Sequence, residues 1–184
     1  MTGKTANGTE DKQNPGQLSA VQLNIVTFVD MEKVAATGTL EGALYMMDNG
    51  NGSTGQGTGD LQTVCNQGQV LNWIIRPLDM ETRPDGSTPP MPKINNIVFL
   101  DNTVDGAEKV ANSKVCAELK VYGMPDFTRH PLTPSYYYWA GVVALTVEPG
   151  VHEYRLSLEL EQEGKKERMF LRSETRPSIR VLAV

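Results

Sequence analysis

The sequence lacks the cysteine and histidine clusters that mark disulfide scaffolds, zinc sites and redox centres. Its 184 residues contain two cysteines and two histidines, and no Cys-x-x-Cys pair is present. Cys65 and Cys116 lie far apart in the chain, in a pattern that fits neither a disulfide framework nor a metal site. We therefore expect two buried or half-buried thiols, with a disulfide only if their Cβ atoms face each other.

A basic surface and long apolar runs are also missing. The chain has 17 Lys and Arg against 22 Asp and Glu, for a net charge of −5. Nucleic-acid binding needs clustered cations, and a membrane-spanning helix needs about 18 consecutive apolar residues. The polar N-terminal segment has no apolar stretch typical of a secretion signal. We expect a cytoplasmic protein that binds neither nucleic acid nor membrane.

The composition and its distribution predict one domain preceded by a tail. The apolar fraction of 39% is enough for one sizeable core in a chain of this length. Residues 1–18 show no apolar periodicity and are rich in Gly, Asn, Thr and charge. We predict that residues 1–18 form a flexible, disordered tail and that residues 19–184 form a single domain.

Apolar residues that alternate with polar ones predict many short strands. One short helix is predicted over residues 30–36, with Asp30 as its N-cap. The predicted strands are 21–29, 43–48, 69–79, 95–100, 115–122, 137–148, 152–161, 167–172 and 178–183. This pattern predicts an all-β protein, an antiparallel β-sandwich for which a jelly-roll-like arrangement is one form.

Turn residues locate the connections between these strands. Residues 162–165 are predicted to join the last long strand to its successor in a hairpin, and Pro149-Gly150 is read as a second hairpin signal. Four prolines predict a long loop over residues 79–93. A further loop is predicted over residues 123–135.

Residues 45–60 run from an apolar strand into a loop that contains five glycines and no cation. Gly50-x-Gly52-x-x-Gly55 matches the dinucleotide pattern, but neither a following helix nor a βαβ unit accompanies it. One hypothesis is conformational, in which the glycines let the loop cover one end of the sandwich. The alternative is a cation or sugar site, and its ligand-binding candidates are Asp48, Asn49, Asn51 and Asp60, with calcium at Asp48 and Asp60 as the metal hypothesis.

Aromatic residues supply a further ligand-binding hypothesis. Tyr138 and Trp139 could stack on a sugar ring, although successive residues of a strand face opposite sides and both tryptophans, Trp73 and Trp139, suit a core. His130 and His152 lie in different segments, and no nucleophile motif accompanies either one. The sequence predicts no catalytic residues and no cofactor other than the calcium considered above.

Several segments together resemble the bacterial inclusion body protein family typified by PixA and AidA, over residues 20–183. The matching segments are residues 30–32, 39–73, 138–141, 149–156 and 177–181. The resemblance implies a non-catalytic cytoplasmic protein, accumulated under quorum or growth-phase control, that self-associates and for which a homodimer is the expected state. The eight methionines depart from the methionine richness of PixA.

A ligand-binding module remains the alternative from a different functional class. β-Sandwiches with oxygen-rich end loops suit polyhydroxylated ligands, so this alternative is a lectin-like carbohydrate binder, assisted by calcium. The sequence does not separate it from the inclusion body protein hypothesis.

Overall fold

The computed structural model describes residues 22–81, 84–86, 90–100, 114–122, 138–161 and 168–183. The predictions for the tail, for the 123–135 loop with His130, and for the 162–165 turn fall outside these residues. The elements of the described part are β1 (Leu23–Val29), α1 (Met31–Thr37), β2 (Leu44–Asp48), β3 (Gln62–Asn66), β4 (Val70–Pro77), β5 (Lys93–Phe99), β6 (Cys116–Tyr122), β7 (Tyr138–Val143), β8 (Gly150–Glu161), β9 (Arg168–Arg172) and β10 (Ser178–Leu182).

The strands form two sheets, which confirms the predicted all-β sandwich. Sheet one has the order β2-β1-β4-β7-β6, and sheet two has the order β3-β10-β8-β5, with β9 pairing to β8. Two of the pairings, β1 with β4 and β10 with β3, are parallel, so both sheets are mixed where the sequence suggested antiparallel strands. Parallel neighbours need long connections, and the chain between β1 and β4 supplies one by passing through β2 and through β3 of the other sheet.

Three aromatic side chains join the two sheets in the core. Trp73 of β4 packs edge-on against Phe99 of β5 and Tyr154 of β8, with ring centroids 6.3 and 5.9 Å apart. Both Trp73 and Tyr154 are fully buried, which confirms the core assignment of Trp73. Edge-to-face pairs of this kind add about 0.5–1.5 kcal/mol to the stabilisation from burial alone.

Strand β8 shows the expected alternation of one buried and one outward face. Tyr154, Leu156, Leu158 and Leu160 are buried, and the residues between them face away from the core. Strand β9 pairs with β8 in antiparallel register, which confirms the pairing that the predicted C-terminal hairpin requires. Between β9 and β10 the chain stays attached to β8, because the Ser173 hydroxyl accepts a hydrogen bond from Leu156 N at 3.0 Å.

Three details of the strand prediction were wrong. Strand β3 was missed, because its five residues include only two apolar side chains, Val64 and Cys65, which are adjacent and do not alternate with polar residues. Strand β7 ends at Val143, since the chain turns at residues 144–147. Pro149-Gly150 marks a crossing between sheets and not a hairpin, because β7 lies in sheet one and β8 in sheet two.

The predicted short helix is confirmed with its cap. Lys33 N donates to the Asp30 carboxylate at 2.9 Å, and Gly38 ends the helix in the left-handed conformation at φ 73°. A capping carboxylate of this kind contributes about 1 kcal/mol. Across the described residues, no helix has the length and apolarity needed to cross a membrane.

Both cysteines are free and buried, as the sequence predicted. Burial, with a smaller contribution from the Asp48 carboxylate, raises the pKa of the Cys65 thiol to about 12. Burial also raises the pKa of Cys116, and the charge of a Cys65 thiolate would raise it further. Because the thiolate is the nucleophilic form, both cysteines are held in an unreactive state.

We predict that neither thiol reacts with Ellman's reagent in the folded protein at mildly alkaline pH. The reaction should proceed only as fast as the protein opens, and guanidinium should release both thiols at once. Rapid labelling of either cysteine under native conditions would contradict this description of the core.

Candidate functional site

The glycine-rich segment connects the edge strands of the two sheets. Strand β2 ends at Asp48 on one edge of sheet one, and β3 begins at Gln62 on one edge of sheet two. The intervening residues 49–61 therefore cross the side of the sandwich. An edge strand presents unpaired backbone groups that can recruit other strands, so the contacts made by this crossing decide whether the two edges are open.

On sheet one, the loop pairs with the outward backbone groups of β2. Met46 N donates to Thr58 O at 3.1 Å, and Gly57 N donates to Met46 O at 2.7 Å. Two residues further along, Asp48 N donates to the side-chain oxygen of Gln56 at 2.9 Å. The loop thus takes the place of a neighbouring strand along β2.

On sheet two, the same loop satisfies the edge of β3. Thr54 and Gln62 exchange two backbone hydrogen bonds of 3.0 and 2.9 Å, and Val64 N donates to the Ser53 hydroxyl at 3.1 Å. Residues 53–58 therefore occupy both edges at once, and we call them the edge clamp. At the far end of β3, Asn66 N donates to the Gln69 side chain at 2.9 Å, outside the clamp.

Asp48 ties the two ends of the loop together. One carboxylate oxygen accepts from Gly50 N at 2.8 Å and from the Gln56 amide at 3.1 Å, and the other accepts from the Thr63 hydroxyl at 2.5 Å. Asp48 is paired with the buried Ile25 of β1, and paired residues point to the same side of a sheet. The Asp48 side chain therefore points towards the space between the sheets. Its negative charge contributes to the raised pKa values of Cys65 and Tyr154, for which burial is the larger cause.

The edge clamp requires glycine at one position for two independent reasons. Gly55 and Gly57 have φ of 73° and 79°, in the left-handed region that favours glycine. A Cβ atom on Gly55 would also lie 2.8 Å from Asp60 O, whereas a Cβ on Gly57 would meet nothing within 4 Å. These observations support the conformational hypothesis for the loop.

The other predicted ligand-binding residues of the loop, Asn49, Asn51 and Asp60, do not share the hydrogen-bond partners of Asp48. The exposed Asn49 is held at the start of β1, where its side chain accepts from Asn24 N at 2.8 Å and donates to Gln22 O at 3.3 Å. The Asp60 carboxylate accepts from Arg176 N at 3.2 Å, and Asn51 is exposed. Asp48 and Asp60 are therefore engaged by different donors.

The two aromatic candidates lie apart from the loop and from each other. Tyr138 faces outward, where its ring stacks on Tyr122 with centroids 5.4 Å apart. Trp139 is half-buried, and its indole N–H donates to Ile94 O of sheet two at 2.8 Å. Trp139 lies in the same cross-strand row as Asp48, three strand spacings or about 14 Å away. The structure thus does not bring the six candidate residues into one site.

The chemistry available in the described part of the chain is limited. Among these residues, no group of three or more His, Cys, Asp or Glu side chains is placed to hold a metal ion. The imidazole of His152 lies 2.9 Å from the Glu148 carbonyl, to which it donates. Sequence reasoning missed Gln56, Thr58 and Thr63, whose contacts define the loop. The density of glycines was the signal of a constrained conformation.

Two comparisons with known proteins bear on this fold. The family described as "Domain of unknown function (DUF8788)" matches residues 21–85, which contain the edge clamp. The crystal structure of inclusion body protein PixA from Burkholderia cenocepacia J2315 matches with a TM-score of 0.60, over 92% of this chain and 100% of that chain. The curated proteins contain no match to the chain.

The sequence identity to the PixA structure is 12%, so this likeness shows a shared fold. The resemblance to PixA-type inclusion body proteins is confirmed at that level.

We predict that Gly55→Ala destabilises the protein more than Gly57→Ala. Both substitutions place a side chain at positive φ, at a cost of about 1–2 kcal/mol. Only the Gly55 variant adds a backbone clash, so its free energy of unfolding should fall by about 1 kcal/mol more. Urea denaturation of both variants measures this difference, and equal losses would contradict the assigned clamp geometry.

A second prediction separates the structural and metal-binding hypotheses for Asp48. Asp48→Asn should lower the free energy of unfolding by about 1–3 kcal/mol without metal, because three donors lose a charged acceptor. Asp60→Asn is the matched control and should change it by less than about 0.5 kcal/mol. Calcium should leave the melting temperature of the unsubstituted protein unchanged. A calcium-dependent rise that is lost in both variants would establish the metal site.

Proposed function

We propose that this chain is a non-catalytic, self-associating protein of the PixA inclusion body type. The observation that carries the proposal is the shared fold, which extends over nearly the whole chain and the whole of the PixA chain. That protein is an inclusion body protein, and we propose the same role for this chain. Fold alone does not determine function, so the side chains must agree with it.

The chemistry of the described residues supports a non-catalytic role. Cys65 and Cys116, the usual candidates for a nucleophile, are buried with raised pKa values. Asp48 accepts hydrogen bonds from three groups of its own chain. These side chains stabilise the sandwich, and a catalytic group would instead need to reach a substrate.

The carbohydrate-binding alternative receives less support from the geometry. Tyr138 and Trp139 face opposite sides of sheet one, and the loop oxygens of Asp48 and Asn49 contact the protein itself. A sugar site would need these groups to converge on one ligand.

The proposal also covers the cellular location of the protein and the control of its abundance. We place the protein in the cytoplasm and expect its abundance to follow growth phase or quorum signals, on the basis of the resemblance to PixA and AidA. Immunoblots of cell fractions taken at successive stages of growth test both points. A constant, low level of the protein in the cytoplasmic fraction would contradict the proposed control of its abundance.

We predict that the purified protein self-associates, with a homodimer as the first closed state. Multi-angle light scattering at high micromolar concentration should give a mass above that of one chain and rising with concentration. Dilution should return the measured mass to that of one chain. A mass equal to one chain throughout the range would refute the proposed self-association.

A further inference from the structure

The outer face of sheet one carries an apolar row that crosses all five strands. Backbone pairing aligns Met47, Val26, Ile74, Tyr138 and Tyr122 in this order. Paired residues point to the same side of a sheet, and the neighbouring row with Ile25 and Trp73 is buried in the core. The apolar row therefore points away from the core.

The side chains at both ends of this row are exposed. Met47 is 42% exposed and Tyr122 is 45% exposed. The rings of Tyr122 and Tyr138 stack at an interplanar angle of 16°, which gives that end a flat surface. Next to the row, Phe28 pairs with Tyr45 and both are half-buried. Exposed apolar side chains that are grouped on one face mark interaction sites in globular proteins.

The charge on this face differs from that on the rest of the acidic chain. The outward residues of β1, β2, β4 and β7 include no carboxylate, since Asp48 of β2 points inward. Strand β4 instead contributes Arg76, beside Phe28. The outer face of sheet two carries Glu159 and Glu161, which pair with Lys93 and Arg168. Two copies of net charge −5 can approach through the outer face of sheet one without opposing carboxylates from these four strands.

The area of this face is close to the smallest area that a biological dimer interface buries. Five strands spaced by about 4.8 Å and about 20 Å long give a footprint of roughly 500 Å² per copy. A biological interface buries about 1,000 Å² in total, so two such faces just reach that area. An area at this lower limit fits a reversible dimer.

We propose that the outer face of sheet one is the self-association surface, on which a second copy packs face to face. This inference rests on the proposed self-association and names the surface that carries it. The opposite route, pairing through the edges of β2 and β3, is blocked by the edge clamp, which already occupies their outward backbone groups.

Charge substitutions at the two exposed ends of the row test this surface. Met47→Glu and Tyr122→Glu should each raise the dimer dissociation constant at least about tenfold, because a carboxylate packed against the apolar partner surface would lose its hydration. Phe170→Glu and Val151→Glu are matched controls, since both residues are exposed apolar side chains of sheet two, at 59% and 55%. Sedimentation equilibrium should show the controls within about twofold of the unsubstituted protein.

The outcomes separate this inference from the proposed function. If the unsubstituted protein is monomeric, self-association itself is refuted. If it associates but the face variants bind as tightly as the controls, only the assigned surface is refuted.

Hydroxyl-radical footprinting of the unsubstituted protein gives an answer that does not depend on variant folding. Oxidation of Met47 should fall as concentration rises, while that of Met80, which is 57% exposed, should not. Protection of Met47 at every concentration would show that the chain itself covers this face and would overturn the inference.

Discussion

One loop closes an edge of each sheet and ties the two sheets to each other. Strands β2 and β3 belong to different sheets, and residues 53–58 hydrogen-bond to both. Asp48 fixes the ends of this crossing through Gly50, Gln56 and Thr63. Because an uncovered edge invites pairing with other chains, the clamp both holds the sheets together on one side and protects them there.

The closure of the two edges gives the polar residues of the loop a structural role. Oxygen-rich, glycine-rich loops suit cations and sugars, yet here the oxygens of Asp48, Ser53 and Gln56 accept hydrogen bonds from the chain itself. The glycines permit the close approach, most clearly at Gly55, where Asp60 O leaves no room for a side chain. The exposed apolar residues lie elsewhere, on the outer face of sheet one.

The sequence predicted those parts of the fold that depend on local pattern. Alternation in β8 and the Asp30 cap of α1 are local signals, and both were confirmed. Parallel pairing of β1 with β4 and the assignment of β7 and β8 to different sheets depend on long-range contacts that no local pattern records. The contact of Asp48 with Thr63 was unpredictable for the same reason, since Thr63 lies in a strand of the other sheet.

Amide hydrogen exchange measures whether the loop covers the edges of β2 and β3 in solution. If the loop pairs with β2 and β3 in solution, the amides of Met46, Asp48, Gln62 and Val64 should exchange with protection close to that of the interior strands. Exchange of these four amides at the rates of an unprotected chain, with the interior of β4 still protected, would show that both edges are open and that the edge clamp does not form.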